Sequence, residues 1–141
     1  MQTQSIFKKA AQGFILVSAL ALLSVSIMAF GDPQSVMDLV RVKLTNTDAF
    51  SSIRGVYGGV GMSLFITLIY LMFRDIVGGL AFLSLLWGFY ALSRIVTIIS
   101  EGDLGPFGQQ WLVIESSLFL LAVLLLWVNR KTLTHSVNDI K

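Results

Sequence analysis

The stretch IVGGLAFLSLLWGFYALSRIVTII, residues 76–99, carries a single charge, Arg94, in an otherwise apolar run. About 20 apolar residues wound as a helix match the hydrocarbon core of a bilayer, so this run predicts a membrane-spanning helix. Three runs of comparable length accompany it. Residues 13–30 follow Lys8 and Lys9, residues 55–73 precede Arg74 and Asp75, and residues 111–128 contain one charge, Glu115. Composition agrees, with 55% hydrophobic and 13% charged residues in a chain of 141, a balance foreign to soluble domains. Four spans and their turns use up this length and leave no room for a separate soluble domain. The expected fold is all-α, a single membrane domain built as a four-helix transmembrane bundle.

Lys and Arg near the span ends set the direction, because basic residues are retained on the cytoplasmic side. Lys8 and Lys9, Arg74, and Arg130 with Lys131 then lie inside together, which places both termini in the cytoplasm. The loop 100–110 holds Glu101 and Asp103 and no base, as an outer loop does. The loop 31–53 mixes Arg41 and Lys43 with Asp32, Asp38 and Asp48, and the even span count puts it outside. Trp111 and Trp127 bracket the fourth run about 24 Å apart at the helical rise, as interfacial anchors do. The expected location is a bacterial inner (plasma) membrane. The first run also shares a basic start and Ile27-Met28-Ala29 with a cleavable secretory signal, but it is long for one and Ile27 fits a cleavage site poorly, so it reads as a span. Within the loop 31–53, Ser35 is a candidate cap for a short surface helix carrying Val36, Leu39, Val40 and Leu44; a plain connecting loop is the alternative.

In this orientation Arg54, Arg94 and Glu115 come to similar depth in the outer half. A charge in the hydrocarbon costs roughly 2.5–3.5 kcal/mol on insertion scales, so such residues face inward and find partners. Arg94 with Glu115 is the expected pair, and Arg54 is a second candidate donor. One reading makes this a pair that locks two spans in register, with Arg54 reaching for the head groups. The other makes it a ligand or partner site of Arg54, Tyr57, Tyr90, Arg94 and Glu115, walled by aromatic residues. Helical spacing puts Trp87, Tyr90 and Arg94 on one face, and Tyr57 and Trp111 lie one turn from Arg54 and Glu115.

The glycine-rich segment 55–61, GVYGGVG, lacks the Lys-Ser/Thr and the preceding strand of a phosphate-binding loop. It reads as a packing surface: Gly55, Gly59 and Ser63 form a small-residue ridge for a neighbouring helix. Gly78, Gly79, Ser84 and Gly88 do the same on the third run, which predicts a tight hairpin across Arg74-Asp75.

The stretch Ser52-Ile53-Arg54-Gly55-Val56-Tyr57-Gly58-Gly59, then Leu92-Ser93-Arg94 with Glu101-Gly102-Asp103 beyond it, then Glu115 early in the last run, resembles a family of short bacterial four-span membrane proteins known only as a domain of unknown function. The likeness covers the chain from Asn46 onward, with Ser93 standing where the family pattern has Gly. It implies a fold and a set of marked residues, and no activity.

No cysteine is present, and the single histidine, His135, has no second ligand near it, so no metal and no cofactor are expected. No nucleophile arrangement and no carboxylate pair point to an enzyme. The basic residues are spread over span ends rather than along a stripe, which excludes nucleic acid as a partner. The expected partners are membrane lipids and another membrane protein or a second copy of the chain. The expected function is a non-enzymatic accessory or scaffold subunit. The alternative is a binder or carrier of a lipid or amphipathic anion at the Arg/Glu/aromatic cluster.

Overall fold

The computed structural model describes residues 2–138, with side chains from 5 to 130; the reading of His135 lies outside the described side chains. Every regular element in it is helical. Among the described residues four helices are long and apolar enough to cross a membrane: Ser5–Gly31, Thr47–Arg74, Ile76–Glu101 and Pro106–Arg130. Large apolar side chains lie exposed along all four, among them Val17, Ile66, Phe89 and Leu120, a surface that water would not tolerate and lipid does. The chain is an all-α membrane protein. It divides into two compact units, Leu16–Tyr70 and Met1–Ile15 with Leu71–Lys141.

In the first unit, the end of α1 (Gln2–Gly31) leads to α2 (Pro33–Asp38), α3 (Thr47–Ile53), a π-helical segment (Arg54–Gly59) and the start of α4 (Val60–Arg74). The cap of α2 is Asp32, whose Oδ1 accepts the Gln34 N–H at 3.1 Å, with Pro33 at the first helical position. This corrects the expected cap at Ser35, whose hydroxyl instead donates to the Asp32 carbonyl at 2.7 Å. The helix thus starts and ends earlier, leaving Leu39 and Val40 beyond it. Val36 and Met37 pack on Ala29 at the end of α1, with Met28, Leu44 and Ile53 around them.

Residues 47–53 also depart from the expected loop. Asn46 Oδ1 accepts the Ala49 N–H at 2.8 Å and Asp48 occupies the first turn, so the second spanning helix begins at Thr47. Three glycines in Arg54–Gly59 weaken its α-helical preference, and the segment widens to π geometry, with the Val60 N–H reaching back to the Gly55 carbonyl. Ser26 on α1 donates to the Gly58 carbonyl at 2.6 Å, which ties α1 to this segment.

In the second unit, Asp75 separates α4 from α5 (Ile76–Glu101) and caps α5, its Oδ1 accepting the Gly78 N–H at 2.9 Å. The turn is tight. A Cβ on Gly79 would lie 3.3 Å from the Leu71 Cβ and 3.0 Å from the Ile15 Cδ1. Gln12 of α1 donates to the Met72 carbonyl at 3.3 Å. At its far end α5 stops at Gly102, whose φ of 97° suits glycine, and Pro106 opens α6 (Pro106–Asn138). Helices α5 and α6 pack against each other as an antiparallel pair, and Leu83, Trp87 and Ala91 on one and Ala122 and Leu125 on the other are buried.

Candidate functional site

The α5–α6 pair carries a forked ion pair. Arg94 Nε donates to Glu115 Oε2 at 2.5 Å and its Nη2 to Oε1 at 2.7 Å, a forked contact that engages both carboxylate oxygens. Glu115 is 3% exposed and Arg94 22%, so the carboxylate is sealed between the helices while the guanidinium keeps an outward edge. Two opposite charges in spans can meet this way only because the Gly102–Gly105 turn folds α6 back along α5. The pair is neutral as a unit and joins the two helices.

The surroundings explain how the backbones come close enough. Gly88 lies under the Phe119 ring, where a Cβ would sit 3.0 Å from Cδ2. Ser93 turns its hydroxyl back to the Tyr90 carbonyl at 2.7 Å and so adds no unpaired polar group. Trp87 lies two turns before Arg94 on the same face, with its ring centroid 6.0 Å from that of the exposed Tyr90. Its indole N–H is buried and has no acceptor among the described residues. Sequence spacing placed Trp87 on this face, but nothing in it signalled an orphaned donor.

Arg54 and Tyr57 belong to the other unit. Arg54 Nε donates to the Phe30 carbonyl at the end of α1, at 3.3 Å, and Tyr57 is exposed in the π-helical segment. Arg54 therefore satisfies a helix-terminal carbonyl.

The small-residue ridge does not carry the contact with α1. Within this unit the close approach to α1 is made by Gly58 and Gly61: a Cβ on Gly58 would lie 3.1 Å from the Phe30 ring, and one on Gly61 3.1 Å from the Ser26 Cβ. A Cβ on Gly55 or Gly59 would meet nothing within 4 Å, and Ser63 is exposed with its hydroxyl on the Gly59 carbonyl at 3.0 Å. The rotation of the helix, which the π segment alters, turns one set of glycines to α1 and the other away. The ridge of Gly55, Gly59 and Ser63 faces no helix of its own unit.

Neither a curated protein nor a solved structure matches the chain. The family model described as Domain of unknown function (DUF4345) matches residues 10–126, spanning all four long apolar helices in whole or in large part. With that match and the four helices together, the chain belongs to the DUF4345 family.

Proposed function

We propose that the protein is a non-enzymatic accessory subunit of a membrane complex, docking another membrane protein along Gly55, Gly59 and Ser63. The observation that carries this is the split of glycines on one helix: Gly58 and Gly61 are used by α1, whereas Gly55 and Gly59 stand open beside exposed Val56 and Val60. Between helices in lipid, small residues let backbones approach and gain dispersion contacts that lipid tails supply less well. Valines beside them lose little rotamer freedom on contact. The closed Arg94–Glu115 pair supports the same reading, since its charges satisfy each other.

The test is affinity purification of the tagged chain from native membranes in mild detergent. A stoichiometric membrane protein is expected, and Gly59→Leu should abolish its recovery by tenfold or more while leaving the chain folded. A chain that runs alone at its own size sinks the proposal, and capture of only a second copy replaces it with self-association.

Under this proposal the membrane is a bacterial inner membrane, and Lys8, Lys9, Arg74 and Arg130 mark its cytoplasmic side. The chain has no cysteine, so single cysteines report side cleanly. A membrane-impermeant maleimide should label Asp103→Cys in intact cells and Thr132→Cys only after lysis; the reverse pattern inverts the topology.

The unpaired Trp87 N–H favours a second reading, an acceptor-bearing lipid or amphipathic anion beside Arg94. Lipid analysis of the same preparation separates the two. A specific lipid lost in Trp87→Phe, with no protein partner, selects the binder.

A further inference from the structure

The loop between the first two spans is built more firmly than a connection requires. After α2 the chain makes a helix-ending turn in which the Val42 N–H bonds the Met37 carbonyl at 3.0 Å and the Arg41 N–H bonds the Asp38 carbonyl at 3.1 Å. The position at the turn is Arg41, at a φ of 59°, a conformation that glycine adopts freely and arginine rarely. Gln34 then clamps the returning chain. Its Oε1 accepts the Leu44 N–H at 2.9 Å, and its Nε2 donates to the Val42 carbonyl at 2.9 Å and to Asp38 Oδ1 at 2.7 Å.

What this clamp presents is Leu39, Val40 and Val42, each about half exposed, interleaved with Arg41 and Lys43. Neither cation makes an ion pair among the described residues, and residues 39–46 contain no acid. Leu44 packs against the buried cluster of Ala29, Val36 and Met37, as do Met28 and Ile53, so the loop is folded down on the ends of two spanning helices. The ends of spanning helices are where acyl chains meet head groups.

We infer that residues 39–43 form a lipid-binding element for an anionic phospholipid. Leu39, Val40 and Val42 enter the boundary between head groups and acyl chains, and Arg41 with Lys43 holds the phosphate of an acidic lipid. A glycine at position 41 would relieve the backbone but remove the charge. This element is separate from the Gly55–Gly59 ridge and does not depend on it.

The test uses the full chain with Val42→Cys carrying a fluorophore, in bilayers where either phosphatidylglycerol or phosphatidylcholine is brominated. Both brominated lipids should quench the probe, with phosphatidylglycerol favoured about tenfold at low salt, given the attraction of each cation for an acidic surface. Arg41→Gly with Lys43→Gln should bring the preference near one, and Arg41→Gly keeps the turn by suiting its φ. Salt near 0.5 M should cut the preference in the unaltered loop. No quenching by either lipid, equal quenching, or a preference untouched by the substitutions and by salt overturns the assignment.

Discussion

Arg94→Met is expected to lower the stability of the chain in mild detergent by about 3–5 kcal/mol, the usual cost of stranding one member of a buried ion pair. Glu115, 3% exposed and held at both oxygens by Arg94, loses both of its hydrogen-bond donors once the guanidinium is gone. Glu115→Leu should also destabilise, but less, since Arg94 keeps 22% of its side-chain surface open and its long stem can carry the charge outward. The double variant Arg94→Met with Glu115→Leu should regain most of the loss, because apolar residues of similar volume fill the same seam without a desolvation cost. Denaturant titration of the four proteins, followed by tryptophan fluorescence from Trp87, Trp111 and Trp127, measures this cycle. Single variants as stable as the parent would deny the pair a structural role. A stable double variant that also keeps its partner would confine the pair to holding α5 against α6.

Gly61→Leu should produce the next largest effect. A Cβ there would crowd the Ser26 Cβ at 3.1 Å and already touch the Leu22 carbonyl oxygen at 3.5 Å and the Ser26 Cα at 3.6 Å, so the atoms of leucine beyond Cβ must displace one of them. Helix α1 cannot retreat without giving up the Ser26 hydroxyl bond to the Gly58 carbonyl at 2.6 Å. Overpacking of this kind costs about 1–3 kcal/mol, to which the strained hydrogen bond adds. Gly59→Leu, two residues away, should change stability by no more than about 0.5 kcal/mol, as its Cβ enters open space. The same titration reads both, and equal losses at the two positions would show that the ridge faces α1 after all. The contrast also protects the docking proposal, since a partner lost in a fully folded Gly59→Leu chain is not lost through misfolding.

Much of this architecture was legible in the residue order. Four apolar runs, each long enough for the bilayer, require helices because a spanning segment must satisfy its own backbone groups. Arg94 and Glu115 were legible as partners, since each is the one charge of its run and neither is cheap to leave alone in hydrocarbon. The Asn46 cap and the Asp32-Pro33 helix start are also local signals in the sequence, competing there with Ser35 as an equally good capping residue.

Other features belong to the tertiary structure alone. Hydropathy sums over about 20 residues and is blind to rotation, whereas each helical residue turns the surface by about 100°. Whether Gly58 and Gly61 or Gly55 and Gly59 meet α1 therefore depends on a small rotation of the helix. That rotation is set by the π-helical segment and by Ser26, Leu22 and Phe30, far away in sequence. The bond from Arg54 to the Phe30 carbonyl, the buried Trp87 N–H and the Gln34 clamp on Leu44 have the same origin. Sequence determined that the chain is helical, spans a membrane and must pair its buried charges, because those follow from the energy of each segment in lipid. Only the packed structure decided which faces meet, because that depends on the register between segments.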